Sequence, residues 1–282
     1  MQQIKTLLAK FNLKIAIITT IVLFFLVLFS SASILVLDRE LSDQNTSEAD
    51  SSCNVARIKI NGDLVEYKYG GVEEWTDETV GGDIVGTLEK IEKDPNIYAS
   101  IIEINSPGGS GVAGEEIAGA LKRSTKPTIA VIKDQGTSAA YWAATGAQKI
   151  FASEFSDIGS IGITQSFVDN AAKNTKDGYT YNQLTSAKYK DMLSGDRPMT
   201  QEEKNMVMSD LKEFHKVFVG AIAKNRNLKY EDVAKLADGS SILPPKALET
   251  GIIDAIGGTY EAKQSLAEAL GLELSDLNVC DY

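Results

Sequence analysis

From Ile15 to Leu37 the chain runs through 23 consecutive positions without a charge, most of them Ile, Leu, Val or Phe. At about 1.5 Å per residue, a helix of that length matches a hydrocarbon core of about 30 Å. The run has no polar face to turn towards water, so it reads as a membrane span and not as a core helix. Lys5, Lys10 and Lys14 precede it, and Asp38 and Glu40 follow. Lysine-rich flanks stay cytoplasmic, so a single-pass anchor in the cell membrane with the body outside the cytoplasm is expected. Ser30, Ser31, Ala32 and Ser33 leave a cleaved signal peptide open, although apolar sequence resumes at Ile34 and makes the run longer than a usual signal core. The expected organisation is a cytoplasmic N-terminus over 1–14, a transmembrane anchor over 15–37, a flexible acidic linker over 38–54 and a folded body over 55–282.

Charge narrows the partners. The net charge is −11; residues 1–37 carry +3, so the remainder carries −14. A body this acidic repels phosphate, and nucleic acid is not expected as a partner. Cys53 and Cys280 lie near opposite ends of the body, and neither belongs to a CxxC pair. They read either as two free thiols or as a bridge between the ends, which an extracytoplasmic location permits.

Within the body, apolar runs alternate with helical periodicity. Val55–Ile60, Ala99–Ile104, Thr128–Ile132 and Lys149–Ala152 read as strands, the first closed by a turn at Asn61-Gly62. Asp83–Lys93, Glu115–Arg123 and Ser138–Thr145 read as helices. Such alternation implies right-handed crossovers and a largely parallel sheet, with functional loops at the strand carboxyl ends. Thr200 and Glu203 form a capping box before a long helix whose apolar face is Val207, Leu211, Phe214, Phe218 and Ile222. A short helix follows around Glu231–Ala237, and the last helix runs over Thr259–Leu270.

The chain has one histidine, His215, on that long helix and far in sequence from any candidate nucleophile. A serine hydrolase built here would need another base, and lysine is the usual replacement. Ser138 follows the turn Asp134-Gln135-Gly136-Thr137 at the start of a predicted helix, where developing negative charge is favoured. Taken alone, Ser138 reads equally as an N-cap, and Gly108-Gly109 after a buried strand reads equally as a plain turn or as exposed amides.

Seven motifs in order carry a resemblance. They are Ile104-Asn105-Ser106-Pro107-Gly108-Gly109, Gly136-Thr137-Ser138-Ala139-Ala140-Tyr141, Gly159-Ser160-Ile161-Gly162, Ser186-Ala187-Lys188-Tyr189-Lys190-Asp191, Arg197-Pro198-Met199-Thr200 with Glu203, Ala237-Asp238-Gly239, and Ala247 to Asp254 ending at Gly257. Across roughly residues 55–260 the chain resembles the signal peptide peptidase A family. The resemblance implies an α/β fold like that of the Clp proteolytic subunit and crotonase, with a largely parallel sheet and flanking helices, preceded here by the one N-terminal transmembrane helix. It implies a peptidase domain over 55–282 that acts on peptides such as remnant signal peptides.

The same resemblance assigns residues. Ser138 matches the nucleophile and Lys190 the base, with Lys188 as the rival lysine. Ser160 matches a serine that orients the amine, and Gly109 and Ala139 match the backbone N–H groups of the oxyanion hole. Two alanines, Ala139 and Ala140, stand where the family commonly has glycines, which bears on pocket size. No metal or cofactor is implied. The family also implies a ring-like homo-oligomer, with serine and lysine supplied by adjacent protomers. An ordinary lysine, with a pKa of ~10.4, is charged at neutral pH, so such a base has to be desolvated. An inactive membrane-anchored scaffold of the same fold, or a crotonase-like acyl-CoA enzyme, would preserve much of this pattern.

Overall fold

The computed structural model describes residues 53–68 and 77–282. The expected anchor, and the linker as far as Ser52, lie outside the described residues. Among the described residues no helix is long and apolar enough to cross a membrane.

The body is a mixed α/β fold whose mostly parallel sheet grows by repeated crossovers. Strand β1 (Val55–Val65) is followed by β2 (Glu78–Val80), α1 (Gly81–Lys93), β3 (Ala99–Gly109), α2 (Gly111–Arg123), β4 (Thr128–Thr137), α3 (Ser138–Ala144), β5 (Lys149–Ala152) and β6 (Asp157–Gly159). Next come α4 (Ala171–Lys176), α5 (Gln201–Arg226), α6 (Tyr230–Ala234), β7 (Ser241–Ile242), α7 (Pro244–Glu249), β8 (Ala255–Ile256), α8 (Thr259–Leu270) and β9 (Val279–Asp281). The spatial order is β2-β1-β3-β4-β5-β8, and β6 pairs in parallel with the carboxyl end of β4. Only the β6–β7 pair is antiparallel among the described strands.

The two-residue period of a strand divides the core into two layers. Ile58, Ile60, Ile102, Ile104, Ala130 and Ile132 point to one face, where Ile117 and Leu121 of α2, α3 and Phe218 of α5 cover them. Val55, Ile101, Ile129, Val131 and Phe151 point to the other, under Ala262, Leu266 and Ala267 of α8. Both faces are covered, as a parallel sheet requires, and the long uninterrupted Ile/Val runs follow from that.

The sequence reading and the structure part at the strand ends. Asn61-Gly62 does not end β1. Gly62 takes φ +64° inside the strand, beside a register shift, and a Cβ there would lie 1.6 Å from the Asp77 carbonyl oxygen. The residue acts as a bulge, which only glycine tolerates at that approach. Strands β3 and β4 also outrun their apolar runs by five residues each, because backbone pairing persists after the large apolar side chains stop. The long helix starts after its capping box as expected, but Phe214 is 61% exposed and does not join the core.

The ends of the body are tied together. Cys53 and Cys280 form a disulfide, the second of the two readings of these thiols. β9 pairs in parallel with the first residues of β1, and Asp281 accepts from Arg57 Nε at 2.5 Å and Lys59 Nζ at 3.0 Å.

Candidate active site

The carboxyl ends of β3, β4 and β6 meet at one place. Ser106 pairs with Gly136, and Thr137 pairs with Gly159, so the chain emerges from β4 at Ser138 and from β6 at Ser160 in neighbouring positions. Both serines have a left-handed backbone, φ 53° and 46°. This conformation is uncommon outside glycine and costs of order 1–2 kcal/mol. At Ser138 it is imposed by a direct passage from strand to helix. All six residues of α3 after Ser138 are buried, while Ser138 itself is half-buried. Its Oγ has no hydrogen-bond partner among the described residues, so the hydroxyl faces outward and unengaged.

Gly108 lies against this turn. With φ +105°, a Cβ there would sit 2.7 Å from Ser138 Cβ and 2.9 Å from the Ala139 nitrogen. The Ser110 amide donates to the Leu64 carbonyl, 2.8 Å, and the Gly108 amide donates to Ser106 Oγ, 3.1 Å. Of the three successive amides, this leaves Gly109 as the one not committed to these acceptors, on an exposed residue at the mouth of the site. The structure therefore brings together Ser138, Ala139, Gly109 and Ser160. Ser160 turns its Oγ to the Gly239 carbonyl at 2.9 Å, and its amide donates to Ser240. This explains structurally why the Ala237-Asp238-Gly239 motif accompanies it in the sequence.

Lys190 is placed differently. From Gly162 to Glu202 no residue is buried, and only the short helix α4 interrupts an irregular course. The hydrogen bonds of this arm run within itself or to the first turn of α5. Arg197 bridges Asp191 (3.1 Å) and Glu203 (2.7 Å), Tyr181 donates to Asp191, and Tyr189 donates to Glu202. Lys190 is exposed, and its amine makes no hydrogen bond or ion pair among the described residues, to Ser138 and Ser160 included. Lys188, in contrast, is paired with Glu202 at 2.6 Å. That hydrogen bond raises its pKa, so Lys188 is held in the charged form and is poorly suited to accept a proton.

The arm is anchored from behind. The C-terminal half of α5 is buried through Phe218, Val219, Ile222 and Ala223, and Phe218 stacks on Trp142 of α3 with ring centroids 5.0 Å apart. Nearer its start α5 is more open, burying only Glu203 and Val207 there and leaving Met208, Phe214 and Val217 exposed. His215 meets the Ala237 carbonyl at 2.8 Å. The nitrogen facing that oxygen must carry a proton, which leaves the ring holding a loop in place. Sequence reasoning missed the Thr137 hydroxyl, which donates to the Pro107 carbonyl at 3.0 Å; no local signal in the sequence marks a contact across 30 residues.

Residues 120–273, a stretch containing Ser138, Ser160 and Lys190, match the profile of peptidase family S49. The chain is 28% identical over 249 residues to a signal peptide peptidase SppA of Enterococcus faecium, covering 86% of this chain and 71% of that protein. It is 28% identical over 237 residues to Protease 4 of Haemophilus influenzae, covering 81% of this chain but 36% of that longer protein. Among solved structures, a mutant of the membrane-bound stomatin-specific protease 1510-N shares the fold, with a TM-score of 0.55, 15% identity and coverage of 82% of this chain and 97% of that one. A half-buried serine on a strained strand-to-helix turn beside the Gly108-Gly109 loop, inside a profile match spanning more than half of the sequence, leads to one assignment: this chain belongs to peptidase family S49 and is a peptidase of that family.

Proposed function

We propose that the protein is a membrane-anchored serine endopeptidase in which Ser138 attacks the peptide carbonyl and Lys190 of a neighbouring copy acts as the base. The observation that carries this reading is the turn at Ser138: an unpartnered hydroxyl on a left-handed residue, with Gly108 packed against it. Neutral Lys190 takes the Ser138 proton as Oγ bonds to the carbonyl carbon. The Gly109 and Ala139 amides stabilise the oxyanion, and Ser160 orients the amine. Lys190 then returns the proton to the leaving amine. Water, deprotonated by the same lysine, attacks the acyl carbonyl, and the lysine returns that proton to Ser138 Oγ as the acyl–oxygen bond breaks.

The base has to be desolvated to work as one, and on its own chain Lys190 is exposed. The arm that carries it contributes no buried residue and leaves Val168, Tyr179 and Leu184 exposed at 72%, 70% and 95%. A second subunit laid against the arm would cover those side chains and desolvate the amine, which supports a ring-like homo-oligomer with a shared dyad. The uncharged run Ile15–Leu37 supports the anchor. The Cys53–Cys280 bridge supports an extracytoplasmic body, where disulfides persist. Remnant signal peptides and other short apolar peptides are the substrates that suit such a location.

The test uses the full chain in detergent. Ser138→Ala and Lys190→Ala should each lose peptidase activity, Ser138→Ala should lose fluorophosphonate labelling, and Lys188→Ala should stay active. Co-expression of Ser138→Ala with Lys190→Ala should restore part of the activity, since some interfaces then hold both native residues. Mixed oligomers that remain inactive would place the dyad within one chain, and an active Ser138→Ala would remove the serine mechanism.

A further inference from the structure

The polar ends of one peptide unit beside Ser138 are each held by a buried hydroxyl. The unit joins Pro107 to Gly108. Its carbonyl accepts from Thr137 Oγ1 at 3.0 Å, and its amide donates to Ser106 Oγ at 3.1 Å. Ser106 is fully buried and Thr137 is 8% exposed, so neither hydroxyl has water as a ready alternative partner. The two residues reach the unit from different strands. Ser106 belongs to β3 and pairs with Gly136; Thr137 is the last residue of β4, immediately before the nucleophile.

A peptide unit is a rigid plane with two soft torsions on either side. Holding its carbonyl and its amide at once removes the freedom to flip about those torsions. The next unit along carries the Gly109 amide, whose direction depends on the Pro107–Gly108 plane and on the torsions at Gly108. Those torsions lie where glycine has no steric preference to hold them, φ +105°. Gly108 and Gly109 lie in register with Asp63 and Leu64 of β1, and the two hydroxyls add a hold from the other side, on the plane between Pro107 and Gly108. With them, the loop is tied to the turn that presents Ser138.

We propose that Ser106 and Thr137 are positioning residues that lock the Pro107–Gly108 peptide plane and so aim the Gly109 amide at the oxyanion. The proposal rests on the reading of Ser138 as nucleophile and Gly109 as oxyanion donor. Neither hydroxyl touches the substrate; each acts through the glycine loop. The geometry also sets a direction. Loss of either bond should weaken stabilisation of the tetrahedral intermediate and leave ground-state binding of the peptide in place, because the strands that frame the site do not depend on these hydroxyls.

The experiment measures kcat and KM separately in the full-length enzyme, with melting temperature as a check on folding. Thr137→Val keeps shape and branching and removes only the donor; its kcat is expected to fall about ten- to a hundredfold, with KM within about twofold. Thr137→Ser retains a hydroxyl and should recover most of kcat. Ser106→Ala should reproduce the valine variant, and the double variant should fall by little more than either single one, since both bonds hold the same plane. If Thr137→Val fails to fold, Ser106→Ala and Thr137→Ser carry the same test. An unchanged kcat in folded Thr137→Val or Ser106→Ala overturns the proposal, as does a Thr137→Ser enzyme as impaired as the valine one. Ser138→Ala is run alongside. If it is inactive while the hydroxyl variants are normal, only the positioning role fails. If it is active, the parent reading fails.

Discussion

Ser138 and Ser160 occupy equivalent positions on adjacent parallel strands, each one residue beyond the Thr137–Gly159 pair, and each with a left-handed backbone. Neighbouring strands stand about 4.8 Å apart, so the two side chains leave the sheet from one small area. The strain at both positions is intelligible as the cost of turning two adjacent strands out of the sheet at the same level. A serine is kept there although glycine would fit the torsions with less strain.

That strain predicts opposite effects on stability and activity. Ser138→Gly should be inactive yet melt at or above the temperature of Ser138→Ala, by the equivalent of about 1 kcal/mol, because glycine accepts φ 53° without a Cβ penalty. Ser160→Gly should behave likewise in stability against Ser160→Ala. Thermal melts of the four variants measure this; alanine variants more stable than their glycine counterparts would contradict it.

The arm carrying Lys190 should loosen in acid. Arg197 holds the Glu203 carboxyl down to about 2 from an ordinary 4.5, helped by the Thr200 amide. A depressed acid stabilises the folded form above its unfolded pKa, and that contribution disappears as pH falls through the folded value. The wild type should therefore melt above Glu203→Gln at neutral pH. The gap should narrow between pH 4.5 and about 2 and close below that. Limited proteolysis between residues 162 and 200 should accelerate over the same window. A gap that persists undiminished at pH 2 would exclude this linkage.

The bridge from Cys53 to Cys280 closes a loop over 227 residues of sequence separation. Its loss should destabilise the body by about 2–4 kcal/mol. Cys53→Ala and wild type in reductant should show the same lowered denaturant midpoint. Mass mapping without reductant should recover the two cysteine peptides joined. Activity at temperatures below unfolding should be retained, since the tail packs on β1 and not at Ser138. Equal midpoints with and without the bridge would argue against a stabilising role.

Much of the framework was legible in the residues. Period-two and period-3.6 patterns located the strands of the parallel core and its helices, and Thr259–Leu270 appears with the expected bounds. The capping box at Thr200 and Glu203 marked the start of α5 for a local reason: both bonds are made within one turn. The short strands β6 to β9 were not readable. Each has two or three residues, and pairing with distant strands, not local preference, makes them extended. The exposure of Phe214 escaped the sequence for a similar reason. Its spacing matches the buried face of α5, but nothing local says where the helices packed beneath it end.

The sequence by itself determined the order of the long core strands and their helices, the apolar run Ile15–Leu37, and which serines, lysines and glycines were available for chemistry, because these depend on residue type and short-range spacing. The tertiary structure alone decided that Ser138 and Ser160 share one level of the sheet, that Ser106 and Thr137 grip the same peptide unit, and that Lys190 stands on an arm without a buried residue. Those facts follow from strand register and from burial, which are set by contacts across tens to hundreds of residues that no local pattern encodes.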